Sequence, residues 1–434
     1  MSVLQIGLLL LASFFLMLAL SVPVSISLIV SSLITVSTAL PLDLGTFVAC
    51  QKMVAGVDSF SLLAVPFFIL TGVLMNTGGI AQRLINLAKC LVGRIPGGLA
   101  HTNIVGNTMF GALSGSAVAA SIAVGGVMLP EEEAAGYDKK FAAAANVASA
   151  PTGLIIPPSG ILIIYAVLSG SSVVGMIMSG YIPGILWCLA CMVVAFIVAK
   201  KNKYPTSERV PVKVLFRYFV EAIPSILLIV IIIGGISSGI FTATESAAVA
   251  VAYTLFLAMV VYKSIKPSDL PGILRDACET TAVIMFLIAA SAVMSFVLSF
   301  TGLPNAIGEA LLSVSDNKYV ILLLINLLLL FVGCFMDTTP AMMVLSPILL
   351  PVALEMGLSA VHFGIIMVVN LAIGFITPPL GINLFVAARV GNTSLEVVCK
   401  GIVRFILVMI VCLLLITYIP AISEVLPRMT GMLK

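Results

Sequence analysis

Residues Ile155-Ile156-Pro157-Pro158-Ser159-Gly160-Ile161 read as an apolar segment with a break in it, and nearly the same heptad returns as Ile376-Thr377-Pro378-Pro379-Leu380-Gly381-Ile382. The displacement is 378 − 157 = 221 residues. Without a gap, it also pairs Pro130 with Pro351, Gly136 with Gly357, Gly153 with Gly374 and Ala166 with Ala387. One register held over that distance marks an internal duplication. Each proline lacks the N–H that a continuing helix needs, and each glycine permits the kink that follows. The chain therefore carries two copies of one unit, each closing on an apolar segment broken by Pro-Pro-x-Gly.

The composition places both units in a bilayer. Of 434 residues, 61% are hydrophobic and 9% charged, and the mean hydropathy is +1.25. A crossing takes ~20 apolar residues, and 21 Lys+Arg with 18 Asp+Glu leave room for many. Apolar runs lie at about 4–21, 24–40, 59–76, 141–169, 173–199, 222–240, 243–262, 281–300, 319–335, 361–388 and 402–422. The expectation is an all-α polytopic membrane protein with about 11 or more transmembrane helices. The first run has no Lys or Arg before it and leads straight into a second, so it reads as a membrane segment rather than a cleaved signal.

Lys200, Lys201, Lys203, Arg209, Lys213 and Arg217 face a lone Glu208 in one gap, and Lys263, Lys266 and Arg275 fill another. Two crossings separate these gaps, so both lie on one side, and their positive excess makes it the cytoplasm. A net charge of +3 without a basic stripe excludes nucleic acid as a partner. Cys188-Leu-Ala-Cys191 falls in a helical run, where both thiols read as small buried hydrophobes. His101 and His362 sit at segment edges without metal-ligand company. No Gly-x-x-x-x-Gly-Lys-Ser/Thr loop is present, so ATP is not the energy source.

Upstream of Pro130 runs Asn103-Ile-Val-Gly106-Asn107-Thr-Met-Phe-Gly111-Ala-Leu-Ser114-Gly115-Ser116, followed by an uncharged arm from Ala117 to Leu129. Upstream of Pro351 the counterpart is Gly333-Cys-Phe-Met-Asp337-Thr338-Thr339-Pro340, followed by Ala341 to Leu350. Arms of about 13 residues or fewer are too short to cross. Each reads as half of a re-entrant hairpin with small polar residues at its tip. Irregular backbone at membrane depth is tolerated only inside protein or along a wet cavity. Broken helices at matching positions of two repeats point to a transporter's substrate and ion site. Freed carbonyls suit a hard cation such as Na+, and half-helix N-termini suit an anion. Gly111-x-x-x-Gly115 also fits plain helix packing.

Asp337 opens the second tip, where it fits a cation site or a helix N-cap. Thr242-x-x-Glu245 is a capping box, which makes Glu245 a structural helix start. Arg389 reads as a snorkelling anchor, although it is the basic residue nearest the second break. Glu131-Glu132-Glu133 reads as a solvated turn. An intramembrane enzyme would need a nucleophile–base pair or metal ligands, and neither His-Glu-x-x-His nor a Ser/His pairing is present.

These motifs resemble the large membrane subunit of tripartite ATP-independent periplasmic (TRAP) transporters. Those that carry the likeness are Ser114-Gly115-Ser116 within Gly106 to Pro130, Gly136-Tyr137, Ile156-Pro157-Pro158-Ser159 and Gly234-Gly-Ile-Ser-Ser-Gly-Ile-Phe-Thr-Ala-Thr-Glu245. Ser21-Val-Pro23-Val and Thr377-Pro378-Pro379-x-Gly381 extend it over nearly the whole chain. Ala243 stands where the family pattern has proline, a departure confined to a turn. The resemblance implies an elevator-type transporter of inverted repeats in the bacterial inner membrane. It implies scaffold helices over 1–58, a moving half over 59–169, scaffold and connectors over 170–277, a second moving half over 278–390 and a scaffold helix over 391–434.

The implied partners are a small four-helix membrane subunit and a periplasmic substrate-binding protein. The cargo would be an organic acid, of the sialic acid or C4-dicarboxylate type with sialic acid favoured, moved with Na+ and no other cofactor. The implied ion and substrate residues are Ser114, Gly115, Ser116, Pro157, Ser159 and Gly160 in the first repeat. In the second they are Asp337, Thr338, Thr339, Thr377, Pro378, Gly381 and Asn383. The competing expectation is a stand-alone carboxylate carrier of the same architecture that needs no binding protein.

Overall fold

The computed structural model describes residues 3–206, 212–303, 306 and 317–433. Glu208 and Arg209 of the basic gap lie outside them. Among the described residues the regular elements are all helices. Helices α1 (Val3–Ala19), α2 (Val24–Val36), α3 (Leu42–Val57) and α4 (Ala64–Thr77) lead to an amphipathic α5 (Ile80–Val92). A hairpin of α6 (Gly98–Ser114) and α7 (Ala117–Ala134) follows, then a broken segment of α8 (Lys139–Ser149), a single turn α9 (Thr152–Ile155) and α10 (Gly160–Ser169). Next come α11 (Val173–Ser179), α12 (Tyr181–Asn202), α13 (Val212–Ser237), α14 (Ala243–Phe256) and α15 (Leu270–Thr301). The second unit is a hairpin of α16 (Lys318–Gly333) and α17 (Thr338–Glu355) with a broken segment of α18 (Ala360–Gly374) and α19 (Ile382–Val390). Helices α20 (Leu395–Tyr418) and α21 (Ala421–Met429) complete the chain.

The fold is the expected all-α membrane class, but its apolar runs are not eleven uninterrupted passes. Among the described residues seven helices are long and apolar enough to cross, or eight if the segment bent by 43° at Ile155–Gly160 counts as one. Four other apolar helices have 10–17 residues. Two local expectations are corrected. The hairpin arms do not stop at Leu129 and Leu350: helix runs through Pro130 to Ala134 and through Pro351 to Glu355, 18 residues each. A proline one turn from a helix end removes a single hydrogen bond, and the end tolerates that loss. Nor is Glu131-Glu132-Glu133 a solvated turn. All three lie in α7; Glu131 pairs with Lys89, Glu133 pairs with Lys139 at 2.8 Å, and Glu132 between them is fully buried. Neighbours on a helix point about 100° apart, so three consecutive charges cannot share one wet face.

The two units lie in opposite directions, as their end contacts establish. The phenol of Tyr137, at the base of the first hairpin, donates to the carbonyl of Pro205 at 3.2 Å and stacks on Tyr204 at 4.4 Å. That is the lysine-rich end of α12. The Arg83 guanidinium of α5 sits 3.6 Å over the ring of Tyr262, beside the second basic gap, and Lys89 of the same helix pairs with Glu131 at the base of the first hairpin, so α5 joins both gaps at one end of the molecule. The base of the second hairpin is at the other end, where Tyr165 at the far side of the first break donates to the carbonyl of Ala360 at 2.8 Å. By the positive-inside reading the first hairpin rises from the cytoplasmic side and the second descends from the periplasmic side.

Within each unit, a glycine pair and an asparagine pair join hairpin to broken segment. A Cβ on Gly111 would stand 2.7 Å from the Cα of Gly153, and one on Gly374 would stand 2.4 Å from the carbonyl carbon of Gly333. Beside each glycine pair the amide of one asparagine donates to another: Asn107 to Asn146 at 2.9 Å and Asn370 to Asn326 at 2.7 Å. The duplication is thus written in packing as well as in sequence. Gly374→Ala is expected to destabilise the chain by about 1–3 kcal/mol, because its methyl meets backbone that cannot move aside. Gly234→Ala, with open space around it, should stay within about 0.5 kcal/mol. Thermal unfolding of the detergent-solubilised chain checks both; equal melting temperatures would refute the tight contact.

Candidate functional site

The first hairpin turns on Gly115, in the left-handed region at φ +64. Ser116 caps α7 by accepting from the Ala119 N–H at 3.3 Å, and its own N–H donates to the Ser114 hydroxyl at 3.4 Å. The tip rests against the first break: a Cβ on Gly115 would lie 3.1 Å from the carbonyl oxygen of Pro158. There the Pro157–Pro158 peptide is cis, as is Pro378–Pro379 in the second unit. The Ser159 hydroxyl donates to the Leu154 carbonyl at 2.6 Å, satisfying a carbonyl at the buried end of α9, and Gly160 starts α10.

The second hairpin turns at 334–337. Asp337 occupies the N-cap position of α17, but its carboxylate makes no capping bond and accepts instead from the Thr338 hydroxyl at 3.0 Å. The second break meets this tip through the Gly381 N–H, which donates to the Cys334 carbonyl at 3.4 Å. Thr377 donates its hydroxyl to the Ile373 carbonyl at 2.6 Å, and Pro378 is exposed. Asn383, in the first turn of α19, is fully buried, and neither its amide oxygen nor its amide nitrogen has a hydrogen-bond partner.

Both tips open on one cavity of about 480 Å³. Of the residues the sequence nominated, it gathers Ser114, Gly115 and Ser116 from the first tip, Gly160 from the first break, and Asp337, Thr338 and Thr339 from the second tip. Pro157 and Ser159 sit behind this wall in the first break. Thr377, Pro378, Gly381 and Asn383 are not on it, and of the second break Phe375 alone reaches the cavity.

The opposite wall was missed. Gly72 and Asn76 of α4 and Asp276, Thr280 and Ile284 of α15 line it. Asp276 and Thr280 are four apart, hence on one helix face, but beside Arg275 they read as part of a cytoplasmic gap. A Cβ on Gly72 would lie 2.7 Å from the Ser114 carbonyl oxygen, so α4 touches the tip itself. Glu245 makes its capping box, its carboxylate accepting from the Thr242 N–H at 2.8 Å. Arg389 is exposed in the last turn of α19, away from the cavity.

Two helices begin at the tips, so the leading N–H groups of α7 and α17 are directed at a shared polar space. Carboxylate, hydroxyl and amide oxygens around it make a donor set suited to a hard cation. The chain is similar to known proteins in sequence and in fold. Residues 11–422 match the family model described as tripartite ATP-independent periplasmic transporter, DctM component. A Salmonella typhimurium protein, YgiK, is 50% identical over 418 residues, 96% of each chain. The sialic acid TRAP transporter large permease protein SiaM of Vibrio cholerae is 40% identical over 381 residues, 88% of this chain and 89% of its own. A C4-dicarboxylate large permease, DctM of Pseudomonas aeruginosa, is 39% identical over 375 residues, 86% and 88% of the two chains. In fold, the YdaH transporter of Alcanivorax borkumensis superposes with a TM-score of 0.59 at 14% identity, covering 84% of this chain and 86% of that one. The chain belongs to the DctM family, the large permease component of TRAP transporters, and is a multi-pass protein of the bacterial inner membrane.

Proposed function

We propose that the chain imports an organic anion together with Na+, receiving it from a periplasmic binding protein and working beside a small membrane subunit. The observation that carries this reading is the meeting of both hairpin tips and the first break on one cavity. In this reading the hairpins are re-entrant. They move with the broken segments as one body past a scaffold, so that the cavity serves first one side and then the other. Helix α15 packs more on α2 and α3, helices of the first scaffold segment, than on α4 and α17 of the moving halves, so we assign it to the scaffold and start the second moving half at α16 rather than at residue 278.

Two Na+ positions fit the duplication. The first uses the loop Ser114-Gly115-Ser116 against Pro157, Ser159 and Gly160. The second uses Asp337, Thr338 and Thr339 against Thr377, Pro378, Gly381 and Asn383, where a buried amide oxygen without a partner suits an oxygen-coordinated cation. The anion would take the N–H groups that open α7 and α17. Sialic acid and C4-dicarboxylates, the substrates in the names of two relatives, both carry the carboxylate that such a site requires, and we favour sialic acid between them.

Reconstitution tests this. In proteoliposomes holding the chain, its small membrane subunit and its binding protein, an inward Na+ gradient should drive uptake of labelled sialic acid or succinate. The chain alone should be inactive; full uptake by the chain alone would favour the stand-alone carrier.

A further inference from the structure

We infer that Lys52 is the capture point for the anion on the periplasmic side, an inference that rests on the import reading above. A second cavity, of about 600 Å³, lies between α3, α10 and α15. Its scaffold wall carries Ser295, Phe296 and Ser299 near the far end of α15, whereas the site cavity meets α15 at Asp276 and Thr280 near its start. The two cavities therefore lie on opposite sides of the hairpin tips along the membrane normal. Ile164 of α10 lines both, and so stands between them.

Their charges differ in sign. Among the described residues the outer cavity is lined by one cation, Lys52, with the hydroxyls of Ser59, Ser295 and Ser299 and no carboxylate. Among the described residues the inner cavity is lined by Asp276 and Asp337 and by no Lys or Arg. Lys52 is exposed, and its ammonium lies 5.4 Å from the ring centroid of Phe296, which holds it over the vestibule without neutralising it. Close packing of Gly56 on Ala292, where a Cβ would stand 2.4 Å away, holds α3 against α15 and so keeps the backbone of Lys52 beside the vestibule. A cation in a low-dielectric cleft concentrates anions there. An anion that moves inward past Ile164 leaves Lys52 and meets two acids, of which Asp276 is outside the proposed ion positions. Capture outside and release inside then follow from fixed charge.

The test reads the vestibule potential directly. Ser295→Cys, in a chain whose exposed Cys50 and Cys278 are replaced by serine, is labelled in proteoliposomes with two methanethiosulfonates, one bearing sulfonate and one trimethylammonium. Two unit charges ~6 Å apart in water interact by about 0.7 kcal/mol, so removing one from a neighbouring residue alters each rate about threefold in opposite senses. Lys52→Gln should therefore lower the anionic-to-cationic rate ratio about tenfold, and Lys52→Arg should preserve it. In the full assembly Lys52→Gln should raise KM for sialic acid or succinate about tenfold, keep kcat within about twofold, and leave the Na+ dependence unchanged. An unchanged ratio, a cysteine unreactive to both reagents, or a lowered ratio with unchanged KM overturns the assignment and makes Lys52 an interfacial anchor. Absence of Na+-driven uptake by the unsubstituted assembly overturns the import reading itself and, with it, the capture role.

Discussion

Gly115→Val is expected to stop uptake, leaving at most about one hundredth of the natural rate, which is the scale of loss when reacting or binding groups are displaced by about 1 Å. Gly115 has φ +64, a conformation that costs an L-residue about 1–2 kcal/mol and a β-branched one more. Its Cβ would also press on the Pro158 carbonyl oxygen from 3.1 Å. The tip and the first break would have to part, and their seam is where the first ion position is proposed. The strain is small beside the ~5–15 kcal/mol that holds a folded domain, so insertion and helical content should persist. Gly381→Val should behave alike in the second unit, where φ is +32 and a Cβ would meet the Thr377 carbonyl oxygen at 2.8 Å. Uptake at the natural rate by either variant, with equal protein in the vesicle, would refute a site at these seams.

Asp337→Asn is expected to raise the Na+ concentration for half-maximal uptake at least about tenfold, with little change in stability. A unit charge about 4 Å from a cation contributes up to about 4 kcal/mol at a partly wet site, so a tenfold loss, worth about 1.4 kcal/mol, is a modest demand. Stability should hold because asparagine serves an N-cap as well as aspartate does, and the carboxylate makes no capping bond to lose. Uptake against Na+ concentration, paired with a melting curve, separates the two roles. An unmoved Na+ response would remove Asp337 from the ion position, and a large fall in melting temperature would make it structural.

The features legible in the sequence were those with a local covalent cause. Pro157-Pro158 and Pro378-Pro379 remove donors wherever they stand, so the breaks could be read without knowing what packs on them. Ser114-Gly115-Ser116 supplies its own turn and cap, and Thr242 with Glu245 supplies a capping box. What escaped depended on tertiary neighbours. Asp276, Thr280 and Asn76 belong to ordinary helices and become site residues because α4 and α15 lie against the tips. Glu132 is buried by the side of α7 on which it falls, a property that its charged neighbours Glu131 and Glu133 disguise. The arms run past Pro130 and Pro351 because a proline near a helix end weakens only the last turn. Asn383, nominated only through the family resemblance, sits off the main cavity as an orphaned amide, which gives the second ion position a chemical reason that no motif could supply.

Simultaneous measurement of ²²Na+ and ¹⁴C-labelled sialic acid or succinate uptake, in proteoliposomes that hold the complete assembly, bears most directly on the site formed by the two tips and the broken helices. The expected result is that both labels enter at one fixed ratio, and that Gly115→Val stops both together. Anion uptake unaccompanied by ²²Na+, or persisting at full rate in Gly115→Val, would contradict it.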